Sequence, residues 1–468
     1  MPYLQFRYLS FFFGIISLLS FFNIIYSYYL NWYLNIDTYY ISLGVSIVLS
    51  ILFYKIGVKI KKQSIFDKIL TVFFGYILIP LVLSIPFYLS IYNLTFINSF
   101  FESISGFTST GFTIFDNIKN IDQSLILWRS STQWIGGLYF LFSIIFLIDI
   151  YDENFKKTLT NFISFDSSEV LKQVFKIFLL YSSLTLLIFL ILNFFSIRSF
   201  NSLNLAFSII SSGGFLPVNE LSVILKDDTK IIVLSLLMLI SFFSIFFTYN
   251  LIFLKNKNLN FFYEDLHLIF YLIIITSIFF LFFSFNSDFF INFLSIASSI
   301  SNIGFSLNGD QNNLSLLFLI LVIIGGSFFS TSSGLRFIKI YSLFKYSLNQ
   351  ILSFSKPKNI FTNKLIFTKI NFDFNEINRY FLTILIFILS LIILSSLLTL
   401  NGIEFESSFK LSILTLMNTV NSSIYGLNQF NFNDLNFFIK NCLIFFMIIG
   451  RIELLTILLL LKKFLFKN

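Results

Sequence analysis

The sequence predicts an all-α polytopic membrane protein: four helix–pore-loop–helix repeats around one pseudo-fourfold pore, preceded by a two-helix preface. Three observations carry that expectation. Hydrophobic residues make up 57% of the 468 positions and charged residues 12%, with a mean hydropathy of +0.87; an average soluble domain carries about 25% charge. Apolar runs of about 20 residues, each enough to cross a bilayer, recur along the whole chain. Between them lie four shorter, semi-polar stretches that each lead into a small polar loop, the mark of an internal repeat. So little charge cannot cover the surface of a soluble protein of this length, which excludes a soluble enzyme, a secreted scaffold and a disordered chain.

Residues 1–65 hold the preface, with apolar spans near 9–30 and 39–57. The first span is too long for a signal peptide, and no small-residue cleavage site follows it, so it reads as a transmembrane helix. Residues 66–150 form the first repeat, with spans at 69–92 and 126–148 flanking a short stretch at 97–108. Residues 151–258 form the second (173–197, 231–254; short stretch 200–211). Residues 259–350 form the third (267–287, 314–343; short stretch 289–301), and residues 351–468 the fourth (377–400, 436–461; short stretch 405–417). The short stretches cannot cross and read as re-entrant segments.

Ten crossings place both termini on one side. Of the 31 Lys and Arg residues, that side receives 23. The other receives seven: Lys119, Arg129, Arg198, Lys226, Lys230, Lys410 and Lys440. Arg451 falls inside a span. The imbalance makes the first side cytoplasmic by the positive-inside rule. The net charge of +8 therefore encodes orientation and attraction to anionic lipid, and no nucleic-acid partner is expected. The 70 Phe residues read as lipid-facing bulk. With only Ala206 and Ala297 as alanines, close helix contact has to come from Ser and Gly. The single cysteine, Cys442, excludes an intrachain disulfide.

The four polar loops read Thr108-Ser109-Thr110-Gly111-Phe112, Ser211-Ser212-Gly213-Gly214-Phe215, Ser301-Asn302-Ile303-Gly304-Phe305 and Asn418-Thr419-Val420-Asn421-Ser422-Ser423. A half-helix that ends within the membrane aims unsatisfied carbonyls and a partial negative charge at the interior. An extended loop after it can point more carbonyls at a common axis, and such backbone is tolerated at that depth only where it lines a cavity or is buried in protein. Glycine permits the backbone angles. Four such loops make a ring of oxygens that replaces the water around a cation.

The loop Phe101-Glu102-Ser103-Ile104-Ser105-Gly106-Phe107-Thr108-Ser109-Thr110-Gly111 resembles the first pore helix and filter of the TrkH-type potassium transporters of the Trk/Ktr/HKT superfamily. Trp128-Arg129-Ser130-Ser131-Thr132-Gln133-Trp134-Ile135-Gly136-Gly137 and Gly450-Arg451-Ile452-Glu453-Leu454-Leu455-Thr456 are similar to two further family segments. The resemblance implies potassium uptake across a bacterial inner membrane, with K⁺ as the transported ion and no cofactor in this chain. It implies filter residues at Thr110 and Gly111, Ser212 and Gly213, Ile303 and Gly304, and Val420 and Asn421. It also implies an intramembrane gate loop in the third repeat, here Gly325-Gly326-Ser327-Phe328-Phe329-Ser330-Thr331-Ser332-Ser333-Gly334, with Arg451 on the pore axis near it. The alternatives are a helix-packing Gly/Ser patch for the loop and an ion pair with Glu453 for the arginine. The expected partners are a TrkA-like cytoplasmic nucleotide-binding subunit and a second copy of the chain. The 336–379 segment and the 149–172 loop are the candidate docking surfaces.

The fourth loop departs from the family's Gly-Pro-Gly, reading Asn421-Ser422-Ser423. In the superfamily, loss of a filter glycine goes with reduced preference for K⁺ over Na⁺. A Na⁺-permeable or weakly selective transporter and a non-conducting subunit therefore stand beside K⁺ uptake. An intramembrane enzyme needs acid–base or thiol clusters, and His267 and Cys442 each stand alone in the sequence, so the chain is expected not to be an enzyme. Glu102 and Arg129 are candidates for an ion pair that holds the first pore helix.

Overall fold

The structure, a computed structural model, describes residues 6–57, 64–147, 170–253, 262–283, 289–307, 314–354, 374–427 and 430–452. Among these residues the fold is helical apart from one pair of two-residue strands, and it is built as a preface followed by four repeats.

Helices α1 (Phe6–Tyr29) and α2 (Ile36–Ile56) form the preface hairpin. The first repeat holds α3 (Ile65–Leu83), the short α4 (Ile85–Tyr88), pore helix α5 (Phe96–Phe107) and α6 (Gln123–Phe146). The second holds α7 (Val170–Phe194), pore helix α8 (Ser199–Ser211), α9 (Asp228–Phe242) and α10 (Ile245–Phe253). The third holds α11 (Tyr263–Phe283), pore helix α12 (Phe289–Ile300), α13 (Ser315–Ile323), strands β1 (Ile324–Gly325) and β2 (Leu335–Arg336), and α14 (Phe337–Ser353). The fourth holds α15 (Phe374–Leu400), pore helix α16 (Phe405–Leu416) and α17 (Phe437–Ile452).

The short semi-polar stretches are helices of 12 or 13 residues. At 1.5 Å per residue each is about 18–20 Å long, too short to cross. Each stops at a left-handed residue: Ser109 (φ 59°), Ser212 (φ 57°), Asn302 (φ 58°) and Asn418 (φ 47°). A left-handed residue turns the chain out of the helix and ends its hydrogen-bond ladder.

Among the described residues six helices are long and apolar enough to cross a membrane: α1, α2, α3 with α4, α7, α11 and α15. The sequence predicts ten spans. The remaining four are the second helices of the repeats: α6 is buried, and the described parts of α9, α13 and α17 are 15, 9 and 16 residues long, too short to cross. Every residue of α6 from Ser124 to Phe146 is buried, so its polar side chains face protein rather than lipid. Two of these spans are broken. The 314–343 span is interrupted by β1 and β2, as the sequence suggests. The 231–254 span is also broken, at Phe243–Ser244, which the sequence reading does not anticipate.

The repeats close into a cycle. Helix α6 packs on pore helix α8, α9 on α12, α13 on α16, and α17 on α5. Repeats 2 and 4 therefore lie opposite each other. The preface packs on repeat 1. Tyr8 stacks on Phe146 at 4.9 Å and Phe12 meets Tyr139 edge-on at 4.8 Å. At the other end Asn35 Nδ2 donates to Asp122 Oδ1 at 2.8 Å, and Asp122 caps α6.

Candidate functional site

The loops after the pore helices share one hydrogen-bond register. The residue after each left-handed position donates its amide back to the pore helix: Thr110 to Ser105 O (2.9 Å), Gly213 to Ser208 O (2.7 Å), Ile303 to Ser298 O (3.0 Å) and Thr419 to Leu414 O (2.9 Å). The next residues, Gly111, Gly214, Gly304 and Val420, converge. A Cβ built on Gly111 would lie 2.8 Å from Gly214 Cα, and one on Gly304 would lie 2.6 Å from Val420 Cγ1. One on Gly214 would overlap the Val420 side chain and lie 3.1 Å from Ile303 O.

This register aligns two of the loops differently from the sequence assignments. In the second loop Gly213 and Gly214, rather than Ser212 and Gly213, occupy the places of Thr110 and Gly111. In the fourth, Thr419 and Val420 do so, and Asn421 lies one residue beyond the ring. The reason is where each helix ends: Ser212 is itself the left-handed residue that terminates α8, and Asn418 does the same for α16. Sequence matching by glycine position misses that offset.

The left-handed residues tie neighbouring loops together. Ser212 Oγ donates to Ser301 O. Asn302 Nδ2 donates to Thr419 Oγ1 at 3.2 Å and to Val322 O at 2.8 Å. Asn418 Nδ2 donates to Thr110 Oγ1 at 3.0 Å and to Met447 O at 2.9 Å. In the first loop Ser109 Oγ accepts from Arg451 Nη2 at 3.3 Å.

Arg451 is 1% exposed. Its Nη2 also reaches Ser211 O at 3.4 Å, a terminal carbonyl of pore helix α8, and its Nη1 donates to Ser333 Oγ of the loop between β1 and β2. The guanidinium lies over the Phe140 ring at 4.0 Å. A buried cation is thus held by a helix C-terminal carbonyl, hydroxyls and a π face, groups that favour positive charge. Glu453, the other partner considered for this arginine, lies outside the described residues.

The loop between β1 and β2 is rigidly built. Ile324–Gly325 and Leu335–Arg336 pair in parallel. Gly334 has φ +80°, and a Cβ there would lie 2.8 Å from Gly325 Cα, so this crossing requires glycine at both positions. Gly326, Ser327, Ser330 and Ser332 are buried in the loop. The loop docks on the break in the second repeat: Ser327 N donates to Phe242 O at 3.0 Å, Ser332 N to Ser241 O at 3.1 Å, and Ile245 N to Phe329 O at 3.1 Å. Each broken helix supplies backbone partners for the other, which is how non-helical backbone is accommodated at membrane depth.

Three charged residues that sequence reasoning missed hold this junction. Glu264 accepts from Phe328 N (3.0 Å) and Ser327 Oγ (3.2 Å). Asp265 Oδ1 accepts from Ser244 N at 2.8 Å. Arg336 Nη1 donates to Ser327 O, Ser332 O and Ser330 Oγ at 2.9, 3.0 and 3.2 Å. In the sequence Arg336 counts as one more basic loop residue, and Glu264 and Asp265 look like ordinary first-turn acids of a helix. Arg336 following Gly334-Leu335 is the one local signal that a charge belongs to the loop.

Glu102 and Arg129 form the expected pair, Nε to Oε1 at 2.8 Å, both buried. Glu102 also accepts from Thr113 Oγ1 and Ile114 N, so the pair pins the segment that leaves the first loop. Residues 149–169, most of the 149–172 loop, and residues 355–373, the middle of the 336–379 segment, lie outside the described residues.

No family model matches the chain. It is 24% identical over 390 residues to the Trk system potassium uptake protein TrkH of Escherichia coli, a match spanning 79% of each chain. It is 22% identical over 439 residues to the TrkG protein of the same organism, spanning 88% of this chain and 87% of the relative. An uncharacterized cation transporter of Methanocaldococcus jannaschii is 26% identical over 291 residues, 59% of this chain and 58% of that protein. The crystal structure of the potassium transporter TrkH from Vibrio parahaemolyticus superposes with a TM-score of 0.81 over 98% of each chain, at 18% identity.

Proposed function

We propose, for a chain that belongs to the TrkH-type branch of the Trk/Ktr/HKT superfamily, that it takes up K⁺ across a bacterial inner membrane. The ion passes through a channel-like pore whose narrowest part is the ring formed by Gly111, Gly214, Gly304 and Val420. The observation that carries this reading is the convergence of four equivalent loops on one axis, each at the C-terminal end of a half-length helix. Helix C-termini and loop carbonyls present negative potential to a cation. Inward movement of one charge gains about 2.3 kcal/mol per 100 mV of membrane potential.

In this reading Thr110, Gly213, Ile303 and Thr419 supply the ring beneath. The β1–β2 loop, with Gly325, Gly326, Ser327, Ser330, Ser332 and Gly334, is the gate, and Arg451 is a fixed positive charge between gate and ring. Both termini are cytoplasmic, the assembly is a homodimer, and a TrkA-like nucleotide-binding subunit regulates the gate. K⁺ is cargo, and the chain is a transporter rather than an enzyme.

The test is Rb⁺ and Na⁺ uptake in cells lacking their own K⁺ uptake, with and without a TrkA-like partner. Rb⁺ uptake well above Na⁺ supports the reading. Comparable fluxes favour the weakly selective alternative, which the non-glycine residue in the ring supports. No flux from a correctly inserted chain removes both and leaves a non-conducting subunit.

A further inference from the structure

The fourth position of the ring differs from the other three in side chain and exposure. We propose that Val420 is an apolar constriction across the ion path, and that it sets how fast and how selectively this chain conducts; the proposal rests on the transport reading above.

Gly214 belongs to the repeat opposite Val420 in the cycle. The space a Cβ on Gly214 would take is already held by the Val420 side chain, and the same side chain lies against Gly304. One isopropyl group therefore touches both a neighbouring and the opposite loop, which places it across the axis. The three glycines are buried, whereas Val420 is half-buried, as expected of a side chain that borders an accessible opening.

The backbone gives an independent argument. Gly111 and Gly304 are left-handed, with φ +79° and +80°, while Gly214 and Val420 are not. A β-branched residue is excluded from that region by clashes with its own backbone. The ring is therefore twofold in its backbone, with repeats 1 and 3 alike, and the fourth loop cannot adopt the carbonyl arrangement of the first.

Chemically, two methyl groups replace open space beside loop carbonyls. They offer no oxygen to a dehydrated cation, and stripping water beside them goes uncompensated. A hydrophobic constriction impedes ions by dewetting. β-Branching restricts χ1 of valine, so the group does not swing aside easily.

The experiment compares the native chain with Val420→Gly and Val420→Ala in proteoliposomes, following Rb⁺ and Na⁺ influx after checking that each protein is monodisperse. Removal of the constriction is expected to raise Rb⁺ influx by about tenfold or more, with Ala intermediate. Equal and substantial influx from native and Gly chains overturns the constriction while the transport reading stands. No influx from any chain overturns both. A second measurement does not depend on flux: Val420→Cys in a Cys442→Ser background, treated from outside with Ag⁺. Reaction of the introduced thiol supports a side chain on the ion path; a thiol inert to Ag⁺ overturns the proposal.

Discussion

Asn418 Nδ2 donates to Thr110 Oγ1 at 3.0 Å, joining residues 308 positions apart. This bond closes the cycle of four loops, because it links the last repeat to the first. The same amide donates to Met447 O, so Asn418 also anchors the loop to α17. Its left-handed backbone suits Asn better than most residues.

Replacing Asn418 with Ala removes both bonds, a net loss of about 0.5–1.5 kcal/mol for each. Thermal unfolding of the detergent-solubilised chain should shift downward, and Thr110→Ala should shift it less, since Asn418 then keeps its bond to Met447 O and Thr108 Oγ1 keeps its bond to Ile104 O. Equal or larger loss from Thr110→Ala would show that Asn418 does not hold the ring closed.

The Glu102–Arg129 pair is buried at both ends. Removing one partner strands a buried charge and costs about 3–5 kcal/mol, whereas removing both costs less. Glu102→Gln is therefore expected to destabilise the chain more than the double variant Glu102→Gln with Arg129→Met. Stability of the double variant at or below that of the single would refute the pairing as the source of the effect.

Glu264 binds the gate loop through Phe328 N and Ser327 Oγ. Glu264→Gln keeps one acceptor and weakens the clasp. Hydrogen exchange of the amides in residues 326–334 is expected to accelerate by about tenfold, which matches the loss of one charge-assisted bond of roughly 1.5 kcal/mol. Unchanged exchange there, with the rest of the protein as control, would mean that the backbone bonds to Ser241 and Phe242 hold the loop without the carboxylate.

Arg451 places a positive charge between the gate loop and the ring. In the transport reading, Arg451→Ala raises Rb⁺ influx several-fold, while Arg451→Lys, which keeps the charge, stays near the native rate. If Lys behaves like Ala, packing of the guanidinium on Phe140 matters and its charge does not. This separates electrostatics from simple filling of space.

The sequence by itself determined the class of protein and the ladder of elements. Apolar length and the half-length interruptions at 97–108, 200–211, 289–301 and 405–417 lie within a residue or so of helices Phe96–Phe107, Ser199–Ser211, Phe289–Ile300 and Phe405–Leu416. These signals are local: bilayer thickness sets one length, and backbone satisfaction sets the other. What only the tertiary structure decided is which residues meet. Val420 stands opposite Gly214 because hydrogen-bond register, fixed by where each pore helix turns left-handed, counts positions from the helix end and not from a glycine. Glu264, Asp265 and Arg336 join two broken helices from different repeats. Buried charges find partners across the fold because an unpaired one is too costly to keep, and that requirement leaves no periodicity along the chain to read.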